Sequence, residues 1–480
     1  MIGSLTTEQF LRQHWQQTPL LIRGAFPAFQ SPFDSPPHPC ILNPRRRGRV
    51  HVLDPCGISM FILKPLVHRP IALLWTGQTL SAVGSELYKV ALVWTAVSLI
   101  GSAAGYLAAA QAGATLIASL IGGIWAERWD PRRTMIGANL CRAAAVALLP
   151  AAWLIAGSTP FWLLCVSALA ISGLTAFFDP ALQTSLPRLA ATREMLPAVN
   201  GLLDGTRRLA RIIGPGLVAA LIALISIVHF FTINAVTFVL GALAVYALHR
   251  ELPRLAAEPP PLGWRRRIVD ALFAGWRSVR PNPLVRFSII STGVSNAAWT
   301  VAFTFALVLL VKHSIADDAG AYAIVVVAYG VGNLAVNLVV SSVAIHRPAR
   351  VMFIGRLVVG AGFTLMPLAP SLDWLMLAAV LAGCGGPMNE IPTVVLIQSS
   401  FPVQHIARVF RLKMALDYAA TMSCLLVAPL IVDALSPSIL IALCGAVYIV
   451  VGTQGLWRFG RLEAAADRAI TGRGEERPAE

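Results

Sequence analysis

From Ile71 onward the chain alternates long apolar runs with short polar turns. Twelve runs of roughly 20 residues or more stand out, at 71–99, 104–126, 134–155, 160–180, 206–226, 229–248, 287–311, 320–345, 350–370, 373–398, 411–432 and 436–457. Coiled as α-helices, at about 1.5 Å per residue, each crosses a hydrocarbon core of about 30 Å. The pattern predicts an all-α membrane protein with 12 transmembrane helices.

The turns alternate in charge. Arginines crowd the connections after segments 2 (Arg128, Arg132, Arg133), 4 (Arg188, Arg193), 6 (Arg250 to Arg286), 8 (Arg347, Arg350) and 10 (Arg408, Arg411). The connections after segments 1, 3, 5, 9 and 11 carry no Lys or Arg, and the one after segment 7 has only Lys312. Positive charge stays on the cytoplasmic side of a membrane, so both termini are expected inside a bacterial inner (plasma) membrane.

Composition agrees. Of 480 residues, 56% are hydrophobic and 13% charged, with a mean hydropathy of +0.70, which a soluble chain of this length has no core large enough to hide. The net charge of +15 sits in the turns, as topology requires, so nucleic acid is not an expected partner. The seven cysteines form no C-x-x-C pair and five fall within apolar runs; they predict neither a metal site nor a disulfide frame. No cofactor is expected.

Residues 1–69 differ in kind: they are rich in Pro, Arg and His, with the basic run Arg45-Arg46-Arg47-Gly-Arg49, no apolar run long enough to span and no secretory signal. Within them, Thr6-Thr7-Glu8-Gln9-Phe10-Leu11-Arg12 through Thr18-Pro19-Leu20-Leu21-Ile22-Arg23-Gly24-Ala25-Phe26 resembles the opening of cupin-type bacterial oxygenases that hydroxylate ribosomal proteins. The resemblance covers about two dozen residues. The jelly roll and its iron-binding His-x-Asp…His set do not follow, and His14 and His51 lack metal-ligand spacing, so no oxygenase activity is expected. The stretch reads as a disordered, fused or mis-started extension, with Met60 as the expected true start. Intact-mass analysis of the native chain tests this, and peptides recovered from residues 1–30 would defeat it.

The two halves of the rest repeat. Leu182-Gln183-Thr184-Ser185-Leu186-Pro187 matches Ile397-Gln398-Ser399-Ser400-Phe401-Pro402 at an offset of 215, and Arg193 falls on Arg408 at the same offset. Pro131-Arg132-Arg133-Thr-Met135 matches Pro348-Ala-Arg350-Val-Met352 at 217, and Thr76-Gly77 matches Thr292-Gly293 at 216. Offsets agreeing in three places argue for duplication, and an even number of helices per copy makes the repeats parallel. The expected layout is an N-terminal extension at 1–69, a six-helix bundle at 70–248, a cytoplasmic linker at 249–286, a second bundle at 287–458 and a cytoplasmic tail at 459–480. The linker, with Trp264-Arg265-Arg266-Arg267 and an amphipathic stretch to Trp276, is expected to lie on the anionic inner leaflet.

The turn after segment 2 reads Gly122-Gly123-Ile-Trp-Ala-Glu127-Arg128-Trp-Asp130-Pro131-Arg132-Arg133. It resembles the loop signature of the major facilitator superfamily, G-x-x-x-D-R-x-G-R-R/K, with Glu127 in place of the usual Asp and Asp130-Pro131 where Gly and a variable residue are common. With the repeat, the resemblance covers about residues 70–460. Within the superfamily it is nearest to the branch of enterobactin-type siderophore exporters and macrolide-efflux-like proteins, through Leu-Trp75-x-Gly77-Gln78 with Ser81-x-x-Gly84, Phe177-Phe178-Asp-Pro180-Ala-x-Gln183, and Arg207-Arg208-Leu-Ala-Arg211-Ile-Ile-Gly214-Pro215-Gly216. Gly214-Pro215 also resembles the exporter signature of that helix, although its later Gly pair is Val218-Ala219 here. The resemblance implies export driven by the proton gradient, by alternating access.

Ionisable groups inside segments are the informative ones, because a charge at mid-membrane costs about 2.5–3.5 kcal/mol or more. Glu86 and Lys89 share a face of segment 1 and are expected to form the proton or cation site and its modulator. Glu390 sits in Gly385-Gly386-Pro387-Met388-Asn389-Glu390-Ile391-Pro392, which is expected to break segment 10. Arg142, Asp417, Asn234 and Asn333 complete the expected proton and substrate pathway, with Asn296 and Asn337 as further polar positions. The expected cytoplasmic gate is Gly123, Glu127, Arg128, Arg132, Arg133 and Asp179, with Arg128 pairing with Asp179 when the inside closes.

The leading expectation is a secondary active transporter: a proton-coupled, monomeric exporter of a siderophore or an amphipathic drug-like molecule. A lipid or lysophospholipid mover on the same scaffold is the alternative, and a non-transporting sensor or assembly factor the third reading. With no phosphate-binding Gly-Lys loop, HExxH or nucleophile set, an enzyme is not expected.

Overall fold

The computed structural model describes residues 64–125, 129–189, 195–249, 264–315, 317–342, 345 and 347–460. The extension that resembles an oxygenase start, the tail beyond 460, and Glu127 and Arg128 lie outside the described residues.

Helix starts follow local chemistry. Pro at the first helical turn, where its missing N–H costs nothing, opens α1 (Arg69–Ile100), α3 (Pro131–Ala156) and α10 (Pro348–Leu365). Asp130 caps α3, its carboxylate accepting the N–H of Arg132 (3.0 Å) and Arg133 (3.4 Å). Gly101 ends α1 with φ 58° and ψ −132°, a backbone open to glycine, and Gly157 ends α3 in the left-handed conformation with φ 70°. The first half is completed by α2 (Ala104–Trp125), α4 (Phe161–Leu189), α5 (Leu196–Leu221) and α6 (Val228–Ala247). After α7 (Trp264–Val279) come α8 (Pro283–Ile315), α9 (Ala319–Ser342), α10, α11 (Leu372–Ser400), α12 (Val403–Ala434) and α13 (Pro437–Gly455).

Ten stretches of the described residues are long and apolar enough to cross a membrane. The first of them, Arg69–Gly122, holds both α1 and α2, and α5 misses that set because Asp204, Arg207, Arg208 and Arg211 dilute its apolar character. Counting these restores the twelve segments of the sequence pattern.

Helix pairing follows the duplication. In the first half α1 packs on α5 and α6, α3 on α4 and α6, and α2 on α4. In the second, α8 packs on α12 and α13, α10 on α11 and α13, and α9 on α11. Each pairing recurs seven elements later, and the halves join through α2 with α12 and α5 with α9.

Two expectations fail. The Gly-Pro stretch at 385–392 does not break its segment: α11 runs unbroken through Pro387 and Pro392. The small residues serve packing instead, and a Cβ on Gly385 would collide with the Gly355 carbonyl of α10. The linker helix α7 is not simply laid on the bilayer surface. Its Trp276 and Val279 join an apolar cluster with Val285, Leu396, Val409 and Leu412, and Gly275 meets the Arg408 carbonyl of α12. An apolar face that finds a protein partner stays on it.

Apolar packing differs between the two ends. Away from the arginine-rich turns, one cluster unites both halves, from Leu92, Val97 and Leu107 to Leu307, Val311, Tyr322, Val325 and Leu425. At the arginine-rich end the clusters separate, one holding only first-half residues such as Leu74, Met135 and Leu182, the others only second-half and α7 residues.

Candidate functional site: a central cavity between the halves

A cavity of about 380 Å³ lies between the halves, bounded by α1 and α5 on one side and α8, α9, α10, α11 and α13 on the other. On the first-half wall Glu86 and Lys89 are ion-paired at 2.7 Å across one helical turn. Gly214 of α5 allows α1 to pass close behind Glu86, since a Cβ there would collide with the glutamate's own Cβ. Below them Arg208 pairs with Asp204 at 2.8 Å, and Arg211 completes the wall.

The second-half wall is aromatic and amide-rich. Trp299, Phe303 and Tyr329 form a three-ring cluster, with centroids 5.3 Å apart for Trp299–Phe303 and 4.2 Å for Phe303–Tyr329. The Trp299 indole N–H donates to the Tyr329 hydroxyl at 2.9 Å. Asn296, Asn333, Asn389, Glu390 and Tyr448 line the rest. Phe303 lies where α8 widens into a π-helix over Thr300–Ala306, a geometry frequent at functional sites; Trp299 immediately precedes that stretch, and Tyr329 comes from α9.

The end away from the arginines is shut by contacts across the halves. Trp94 of α1 stacks on Tyr322 of α9 at 6.5 Å. Lys312 of α8 donates to the Ser98 hydroxyl at 2.9 Å, lies over the Trp94 ring at 5.3 Å and pairs with Asp317 at 3.3 Å. Toward the arginine-rich end, Asn200, Asp204, Arg207 and Arg211 are exposed at helical spacing on α5, a polar stripe leading to the cavity. The cavity therefore opens at that end.

Of the expected pathway residues, Glu86, Lys89, Asn333 and Glu390 meet in the cavity, as does Asn296. Three do not line it. Arg142 is buried among Phe178 and Phe238 inside the first bundle, donating to Asn139 at 3.3 Å. Asn234 is fully buried between α6 and α1, near Gly84. Asp417 is buried in the second bundle and bound to Lys413 at 2.6 Å. Among the gate residues, Asp179 pairs with Arg207 of α5 at 3.3 Å. Arg132 is buried and donates to the Tyr246 carbonyl near the end of α6, so it caps a helix within its own half. Arg133 reaches Asp130 at 3.9 Å, and Gly123 lies in the last turns of α2.

Sequence reasoning missed Arg211, the three-ring cluster and Arg356. The i, i+4 spacing of Trp299 and Phe303 was a legible sign, as was an arginine inside segment 9. Arg356 is fully buried and donates to Asn389 (2.9 Å), Thr292 (2.8 Å) and Ser291. Among the described residues no His, Cys, Asp or Glu group is arranged to hold a metal ion.

The sequence profile of the Major Facilitator Superfamily matches residues 74–315. The multidrug efflux pump Tap of Mycolicibacterium fortuitum is 27% identical over 380 residues, covering 76% of this chain and 90% of Tap. The MFS-type transporter YfiS of Bacillus subtilis is 23% identical, over 81% of this chain and 93% of its own. Macrolide efflux protein A of Streptococcus pyogenes is 26% identical over a shorter span, 36% of this chain and 42% of its own. Among solved structures, a POT family transporter in complex with a thioalcohol-conjugated peptide shares the fold with a TM-score of 0.66, at 14% identity, over 82% of this chain and 96% of its own.

Proposed function

The chain belongs to the Major Facilitator Superfamily, and on that premise we propose that it is a proton-coupled exporter of amphipathic, drug-like small molecules, siderophores included, working as a monomer in the bacterial inner membrane with its arginine-rich end in the cytoplasm. One observation carries this reading: a cavity between the halves, open at the arginine-rich end and sealed at the other, whose walls mix ion pairs, amides and stacked rings. Such walls suit a ligand with both an apolar body and polar groups. The names of the efflux relatives favour outward transport of that kind of molecule.

A ligand enters from the cytoplasmic side, seats its apolar body on Trp299, Phe303 and Tyr329, and meets Glu86, Lys89, Arg211 and Glu390 with its polar groups. Closing the inside then requires the first-half and second-half inner clusters to approach, while the Trp94–Tyr322 and Lys312–Ser98 contacts part. The proton gradient supplies the work.

The test is accumulation of ethidium and erythromycin in cells stripped of their own exporters. Expression should lower both, a protonophore should abolish the difference, and Glu390→Gln should weaken it by about tenfold, the loss of roughly one charged hydrogen bond. Accumulation equal to that of the empty vector across a broad panel sinks export. A lysophospholipid carrier is the second reading, favoured by an apolar groove of about 380 Å³ that α8, α12 and α13 form from residues such as Val294, Val427, Leu443 and Val447. Movement of a fluorescent lysophospholipid in proteoliposomes, with no effect on ethidium, would select it.

A further inference from the structure

Outside the cavity, the second bundle holds a buried acid and a buried arginine whose matching positions in the first bundle are uncharged. Asp417 of α12 is 6% exposed; its Oδ2 accepts from Lys413 at 2.6 Å, while its Oδ1 is buried with no hydrogen-bond partner. That free oxygen faces the Gly293 backbone of α8. Next door, Arg356 donates to Ser291, Thr292 and Asn389, all uncharged. At the repeat offsets of 215 and 217, Lys413, Asp417 and Arg356 fall on Ala198, Leu202 and Asn139, every one buried and uncharged. Three ionised groups thus occur together in one copy of a duplicated scaffold. Packing alone does not require them, because the other copy packs without them.

We infer that Asp417, and not a cavity acid, carries the coupling proton. This rests on the reading of the chain as a proton-driven carrier and places the proton apart from the transported molecule. The charged groups acting on Asp417 are Lys413 from its own helix, Arg356 from α10 and Glu390 from α11. Tyr418 lies beside it, and α2, which also packs on α12, offers no ionisable side chain but Tyr106. The 2.6 Å contact with Lys413 suits Asp417 as a carboxylate in the state open to the arginine-rich end. Lys413, 20% exposed, links it to that side. This is the state of an antiporter that has released its proton inward and is ready to load.

In the proton-carrying state the carboxyl accepts a proton on Oδ1, the Lys413 ion pair is lost, and Lys413 and Arg356 are left without a countercharge between α8 and α12. Asn389, bound to Arg356 and lining the cavity, couples that change to the ligand's surroundings. A duplicated N-terminal scaffold with no buried acid at the matching position then acts as the passive partner.

The experiment uses the purified full chain in lipid nanodiscs and dicyclohexylcarbodiimide, which modifies protonated carboxyl groups in apolar surroundings. Mass spectrometry of peptides across a pH series should show Asp417 modified increasingly as pH falls, with Glu86 unmodified. Modification of Glu86 or Glu390 with Asp417 untouched at every pH overturns the inference, and needs no variant. In proteoliposomes, Asp417→Asn should retain exchange of ethidium across the membrane but lose uphill accumulation driven by a pH gradient, and Asp417→Glu should restore it. Uphill accumulation by Asp417→Asn with the wild-type pH profile likewise overturns it. If the wild type itself accumulates no ethidium, the exporter reading fails on that probe, while the labelling result still decides where the proton sits.

Discussion

At Glu86 the bonded charge is Lys89, the neighbour one turn on that the spacing placed on the same face of α1. The spacing of these two residues was readable from the sequence; the partnership of others was not. Arg356 illustrates the difference, because its three hydrogen-bond acceptors come from α8 and α11, 33 to 65 positions away. Truncating it leaves buried acceptors unsatisfied and removes several charge-assisted bonds. Arg356→Ala should therefore destabilise the protein by about 3 kcal/mol or more, read as a fall in the thermal unfolding temperature in detergent. Asp179 makes a smaller claim. Its bond to Arg207 joins two half-exposed side chains, so a double-mutant cycle with Asp179→Ala and Arg207→Ala should give a coupling of only about 0.2–1 kcal/mol. Charge reversal at both positions should recover activity lost on reversing either one. Losses that simply add would mean the two side chains do not work as a pair.

Among elements, the apolar runs located the helices because a bilayer leaves no other way to satisfy the backbone, and hydropathy reports that demand directly. Edges and exceptions were less legible for physical reasons. α5 begins at Leu196, ten residues before the apolar run, since its polar stripe faces the open cavity and needs no apolar partner. α11 passes through two prolines unbroken, which a propensity argument penalises and close packing tolerates. Gly383 shows how close that packing is: a Cβ there would run into the Tyr329 carbonyl of α9. Gly383→Val should overpack the α9–α11 contact, costing about 1–3 kcal/mol and displacing Tyr329 from the three-ring cluster. The check is a paired measurement of melting temperature and ethidium affinity, both expected to worsen. Unchanged affinity in a folded variant would detach the cluster from ligand binding.

Across the whole molecule, the duplication shows in sequence through three sparse matches and in structure through every principal helix pairing. The direction in which the cavity opens was beyond the sequence, because both end states are built from the same residues. The outer seal is small: one stacked pair, one lysine reaching across, and the apolar cluster behind them. A cation over an exposed ring contributes about 0.5–1 kcal/mol. Removing Lys312 and Trp94 together should move the balance toward the outward-facing state by several-fold, since each 1.4 kcal/mol is a factor of ten. Cysteine accessibility at Val93, which lines the cavity, reads that shift from the outside. Equal labelling in Lys312→Ala/Trp94→Ala and wild type would show that the seal lies in the apolar cluster alone.

The widened stretch of α8 has one more consequence. A π-helical turn is an α-helix carrying a surplus residue, and such a surplus behaves like a dislocation in a crystal: it can migrate along the rod without the rod coming apart. At and just before Thr300–Ala306 the same helix shows Trp299 and Phe303 to the cavity and Ala298 and Val301 to the apolar groove. Moving the dislocation past these positions rotates them by about 100°, the angle between successive residues. The helix that carries the aromatic wall is thus also the one whose faces a local shift of register would turn, while its ends stay packed.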